Sequence, residues 1–170
     1  MGADDGGPAL GAGGDVVAQS VAIRLCEERD LESFHALGSE HHVEYCREQF
    51  GRGSRALTIL VAVDEDDVPV GKVHLDFESR GAGDAAVLLA AAVKPGLRSR
   101  GIGTALMRAA EDFVCHRGYG GIVLGVENLN PRARRLYERL GYEPFATDDF
   151  KYVGAPVPNP GVWMRKELEC

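Results

Sequence analysis

The chain lacks most of the features that announce a metal site, a membrane span or a nucleic-acid partner. Its four cysteines, Cys26, Cys46, Cys115 and Cys170, form no CxxC pair and no zinc-like spacing with histidine, so no metal is expected. They read as reduced, partly buried thiols, as in a cytoplasmic protein. No stretch is long and apolar enough to cross a membrane; the longest apolar run, residues 85–93, is strand-sized. Residues 1–15 are rich in Gly, Ala and Asp and lack the basic start and apolar core of a signal peptide. They read as a flexible tail before a domain at residues 16–170. Basic residues are the minority, 19 against 26 acidic, for a net charge of −7. That disfavours nucleic acid, which is bound largely by neutralising phosphates, and suits a cationic or amine-bearing partner.

What is present fits one globular α/β domain: 170 residues, 45% apolar and 26% charged. Residues 21–25 read as a strand, followed by Leu31, Phe34 and Leu37 at helical spacing. A second short helix runs from Ser39, an N-cap, through Val43, Cys46 and Phe50. Strands at 57–63 and 70–77 flank an acidic turn and form a hairpin. In the second, Val73, Leu75 and Phe77 face one way, and Lys72, His74, Asp76 and Glu78 the other, as a solvated polar face. The apolar strand at 85–93 reads as central and buried on both faces. An amphipathic helix carries Ile102, Leu106, Ala109, Ala110 and Phe113, and a strand spans 121–126. Asn130 caps a helix with Pro131 at its first position and Gly141 after its end. A strand at 142–145, a Pro-rich loop at 147–161 and a strand at 162–166 complete the chain. The order is β-αα-β-β-β-α-β-α-β-β, a mixed central sheet flanked by helices.

The segment from Arg98 to Thr104 carries the chemistry. A loop that opens directly into a helix offers several backbone N–H groups without intrahelical partners, and the helix dipole favours an anion there. Gly101 and Gly103 permit conformations and approaches that a Cβ blocks, and Arg98 and Arg100 add positive charge. A pyrophosphate is the ligand such a loop suits. The chain has no GxxxxGK, so it is not a Walker loop, and Leu106 stands where a dinucleotide fingerprint needs its third glycine.

Residues 93–107, with Arg98, Gly101 and Gly103, resemble the Arg/Gln-x-x-Gly-x-Gly/Ala motif of the GNAT superfamily of N-acetyltransferases. Asn130, Ala133, Leu136, Tyr137, Gly141 and Tyr142 look like that family's second signature, and the element order is similar over residues 20–168. The resemblance implies that acetyl-CoA is the acyl donor and that a primary amine, of a small molecule, attacks it directly through a tetrahedral intermediate. The pantetheine arm would pair with Ala91, Ala92 and Val93 where the central strand splays at a bulge. Arg98, Ser99, Arg100, Gly101, Ile102, Gly103 and Thr104 would wrap the pyrophosphate. Asn130 would cap its helix and bond the pantetheine, and Ala133 would lie against it. Tyr137 would be the general acid for the leaving thiolate.

The sequence departs from the family in one respect: the central strand carries no Asp or Glu. The base is therefore sought elsewhere. Glu127 and His74 are the leading candidates, with Asp76, Glu78 or a water chain as others. The resemblance places the acceptor near Phe34, His41, His42, Glu44 and Tyr45 and residues 145–157, where Glu44, Asp148 and Asp149 would attract a cation. It also suggests a homodimer through the last two strands. Two other functions stay open: acetylation of protein N-termini or lysines, and a non-catalytic acyl-CoA sensor or interaction module.

Overall fold

The near-continuous apolar runs at residues 57–63 and 85–93 dictate a sheet covered on both faces. The computed structural model, which describes residues 20–38, 40–51, 57–79, 83–151 and 157–170, has that form. The tail expected at residues 1–15 and the Ser39 cap lie outside the described residues. Strand β1 (Ala22–Leu25) precedes a 3₁₀ segment (Glu28–Ala36) and helix α1 (Glu40–Gly51). Strands β2 (Leu57–Val63), β3 (Pro69–Asp76) and β4 (Ala85–Val93) follow, then a short 3₁₀ turn (Pro95–Leu97) and helix α2 (Ile102–His116). Strand β5 (Gly121–Glu127), helix α3 (Pro131–Arg139), strand β6 (Glu143–Phe150) and strand β7 (Asn159–Glu167) complete the order read from the sequence. The seven strands lie in the order β1-β2-β3-β4-β5-β7-β6. Among the described strands only β4 and β5 are parallel, with α2 as their crossover.

Each face of the sheet has its own core. Strand β2 shows the division: Leu60 and Ala62 join the core under α2, whereas Ile59, Val61 and Val63 join Leu31, Phe34, Leu37, Val43 and Cys46 on the other side. On β3, Val73 and Leu75 enter the α2 core. Lys72 and His74, read as a solvated face, are instead 1% and 0% exposed, because the 3₁₀ segment and α1 cover them.

Strand β4 is central, but its burial changes along its length. Ala85 to Leu88 are buried and pair with Gly121 to Leu124 of β5; beyond Leu88 that ladder stops. A bulge marks the change. Lys72 faces Ala92 and His74 faces Leu89, so Val73 stands opposite two residues, one of which, Ala90, has φ +48°. An extra residue bends a strand and breaks its pairing, which corrects the reading of this strand as buried on both faces throughout.

Three further readings are corrected. The Leu31–Phe34–Leu37 segment is 3₁₀, and its strict three-residue repeat suits three residues per turn. The strand expected at 142–145 runs on to Phe150, where the loop was expected, and β7 starts at Asn159. Seven of the eight β6 residues are exposed, so no apolar alternation betrays it; the backbone ladder to β7 holds it. Finally, Cys115, in the last turn of α2, and Cys170 form a disulfide, while Cys26 and Cys46 are free thiols.

Candidate active site

Where β4 parts from β5, a cleft of about 680 Å³ opens between β4, the loop after it, and helices α2 and α3. Ala91, Ala92 and Val93 form one wall; their strand has no β5 ladder at this level, so its backbone can bond a ligand. The loop is set by backbone geometry. Ser99 and Gly101 have φ +62° and +82°, the left-handed region. Arg98 Nε donates to the Val93 carbonyl at 3.1 Å, tying the loop to the strand.

Helix α2 starts with no side-chain cap and no acidic residue in its first turn. Its first backbone bond runs from Ala105 N to Gly101 O. The amides of Ile102, Gly103 and Thr104 therefore lack intrahelical partners at the cleft. Gly103 serves packing more than turning: a Cβ there would stand 3.3 Å from Leu136 of α3.

Helix α3 is the opposite wall. Asn130 Oδ1 accepts from Ala133 N at 3.1 Å, the cap expected of it. Ala133, Leu136 and Tyr137 turn toward the cleft. Tyr137 is 7% exposed and packs edge-on against Tyr142 at 5.9 Å. Its hydroxyl makes no hydrogen bond to a described residue. Burial pushes its ionisation up to about 12, so the phenol keeps its proton at neutral pH.

Of the residues expected on the donor side, Ala91, Ala92, Val93, Arg98, Ser99, Gly101, Ile102, Gly103, Thr104, Asn130 and Ala133 border this cleft together with Tyr137. Arg100 is exposed and stands off its wall. Leu97, Leu106, Met107, Arg132, Arg135 and Arg139 border it too and were not anticipated. The arginines recur at 132, 135 and 139, a helical spacing visible in the sequence.

The candidate bases are dispersed. His74 does not reach the cleft: Nε2 lies 3.4 Å from Lys72 Nζ and 3.9 Å from Cys46 Sγ, and the Phe34 ring lies tilted against it at 6.3 Å. Burial lowers Lys72 to about 8 and raises the Cys46 thiol, which keeps that sulfur un-ionised and inert. Asp76 is occupied, accepting from Glu78 N, Ser79 N and Ser79 Oγ at 2.8, 3.1 and 2.6 Å. Glu78 is exposed near the far end of the strand. Glu127 ends β5 at the splayed side, half-buried. Strand alternation puts it on the face opposite α2, since Ile122, Leu124 and Val126 enter the α2 core.

On the expected acceptor side Phe34 is fully buried and lines no open surface. Glu44 pairs with Arg47 at 3.4 Å, and Tyr45 is 42% exposed. The side chains of His41 and His42 lie outside the described residues. A second hollow of about 530 Å³ is bordered by Asn128, Thr147, Asp148, Asp149 and Pro160 to Val162. There the Asp148 carboxylate accepts from Trp163 Nε1 at 3.0 Å, which holds it below the usual range.

The same fold occurs in solved acetyltransferases. The spermidine/spermine N-acetyltransferase SpeG from Vibrio cholerae superposes with a TM-score of 0.71 at 19% identity, over 86% of this chain and 92% of that one. The ribosomal-protein-S18-alanine N-acetyltransferase from Escherichia coli gives 0.69 at 19% identity, over 89% and 96%. In sequence, streptothricin acetyltransferase from Streptomyces lavendulae is 44% identical over 62 residues, 36% of this chain and 33% of the relative. Mycothiol acetyltransferase from Beutenbergia cavernae is 37% identical over 91 residues, 54% of this chain and 30% of the relative. The match thus spans about a third of each curated relative's length. The sequence profile of the Acetyltransferase (GNAT) family matches residues 23–142, which include both the α2 loop and the α3 signature, and the chain belongs to that family.

Proposed function

We propose that the chain is an N-acetyltransferase that takes acetyl-CoA as donor and acetylates a primary amine of a small molecule. The observation that carries this reading is the meeting, in one cleft, of three groups such a reaction needs. These are the unpaired amides of α2, the unladdered backbone of β4, and the protonated phenol of Tyr137. The amides and Arg98 bind the pyrophosphate. The β4 backbone pairs with the amide-bearing arm, as an added strand would, and a β4 N–H polarises the thioester carbonyl. The amine nitrogen attacks the carbonyl carbon, the C–S bond breaks, and Tyr137 gives its proton to the departing sulfur.

For the base, Glu127 fits better than His74. It stands half-buried at the splayed end of β5, whereas His74 is sealed beneath Phe34 and Cys46. Asp148 and Asp149 border the hollow beside Glu127, and their carboxylates would attract a protonated amine. The sequence relatives named streptothricin acetyltransferase and mycothiol acetyltransferase support a small-molecule acceptor. A screen of free-thiol release from acetyl-CoA over a panel of cationic small amines tests the reading. Turnover with at least one of them is expected; silence over the whole panel, with acetyl-CoA bound, would favour a non-catalytic acyl-CoA sensor.

A further inference from the structure

The donor cleft has an uneven charge. The chain holds 26 acidic residues against 19 basic, yet the cleft is bordered by four arginines, Arg98, Arg132, Arg135 and Arg139, and by no Asp or Glu. Three of the four come from α3. At 100° per residue, positions 132, 135 and 139 fall within about 60° of one another around a helix. This stripe flanks the apolar side made by Ala133, Leu136 and Tyr137. The remaining α3 arginine with a clear partner, Arg134, points elsewhere and pairs with Glu138 at 2.9 Å.

Like charges on one stripe repel, and an ordinary surface helix relieves this with carboxylates at i+3 or i+4. Here Arg132 donates to Ser99 Oγ at 2.7 Å, joining α3 to the phosphate loop. Arg135 and Arg139 make no ion pair with the described residues. A pyrophosphate held by the amides at 102–104 already has Arg98 and Arg132 beside it. Arg135 and Arg139 stand roughly 4.5 and 10 Å further along the helix axis than Arg132. They are placed for a different anion on the same ligand.

We infer that Arg135 and Arg139 form a second phosphate site in the donor cleft, specific for the phosphomonoester on the donor's ribose. The inference rests on the reading of the donor as acetyl-CoA. Coenzyme A carries that phosphomonoester in addition to its pyrophosphate, and a dianion presented to two forked guanidiniums makes charge-assisted, bidentate bonds. The protein then distinguishes coenzyme A from its 3′-dephospho form.

Calorimetric titration of the full chain with coenzyme A and with 3′-dephospho-coenzyme A tests this. Wild type is expected to bind coenzyme A about 10- to 100-fold more tightly, an advantage that shrinks as salt is raised. The double variant Arg135→Gln/Arg139→Gln is expected to weaken coenzyme A to the level of the dephospho form, while the affinity for the dephospho form stays put. Arg134→Gln should keep the full discrimination. Equal wild-type affinity for the two ligands overturns the inference without needing any variant. So does an equal loss for both ligands in the double variant, which would assign these arginines to the pyrophosphate or to folding. If neither ligand binds, the donor reading itself is wrong and this inference goes with it.

Discussion

Tyr137 and Lys72 are both buried, and in both burial favours the neutral form: the phenol rises to about 12 and the amine falls to about 8. For Tyr137 the consequence bears on its proposed role as the acid. A phenol that holds its proton across the neutral range is a standing acid for a departing thiolate. Tyr137→Phe is expected to lower kcat about 100-fold while leaving the dissociation constant for acetyl-CoA within a few-fold, as steady-state kinetics and calorimetry would show; unchanged kcat would reduce Tyr137 to a packing residue. For Lys72 the consequence is stability. Among the described residues its neighbours His74, Cys46 and Cys26 supply no carboxylate, and Phe34 offers its ring face at 4.8 Å. Because the folded value lies below the unfolded value of 10.5, the unfolded chain binds more protons between pH 8 and 10.5. Stability from this group therefore rises with pH across that window, and below it the buried charge costs about 3 kcal/mol. Lys72→Met should raise stability at pH 7, with the gain fading as pH climbs past 8 toward 10.5 in denaturant titrations; a pH-independent gain would assign the effect to packing instead.

At the scale of elements, α3 and β4 do the positioning, and each is legible to a different degree. The Asn130 cap, Pro131 at the first position and Gly141, with φ +91°, after the end all bound α3 as the sequence implies. Asn130→Ala is expected to cost about 1 kcal/mol of stability and to weaken acetyl-CoA binding as well, since α3 walls the cleft; thermal melts with and without acetyl-CoA separate the two effects. Strand β4 is readable as apolar and central, but not as splayed. The bulge depends on how Val73 of one strand meets Ala90 and Ala91 of another, and three adjacent alanines carry no mark of it. The 3₁₀ segment was hidden because apolar residues at 31, 34 and 37 suit either helical period. The run of β6 beyond Phe145 was hidden because nearly all its residues are exposed.

At the scale of the molecule, the element order follows from local patterns, and long-range closure does not. Lys72 and His74 look like a polar face until α1 and the 3₁₀ segment are laid over them. The Cys115–Cys170 bridge joins residues 55 apart, and no spacing rule selects that pair. It ties the C-terminal segment to the end of α2, remote in the fold from the splayed end of β4. For a loop of this length, chain entropy gives about 4 kcal/mol of stabilisation. Reduction is therefore expected to lower Tm in a calorimetric scan but to leave acetyl-CoA affinity nearly unchanged; a large loss of affinity would mean that the bridge shapes the cleft. The acceptor side is the least legible part, because its residues come from separate segments whose approach depends on the whole fold.

On the reading proposed here, the cleft between β4, α2 and α3 binds acetyl-CoA. Isothermal titration of the wild-type chain with acetyl-CoA tests it most directly. Saturable binding at one site per chain, weakened by salt and by Arg98→Gln, is expected. Absence of binding to acetyl-CoA, or binding indifferent to both, would contradict it.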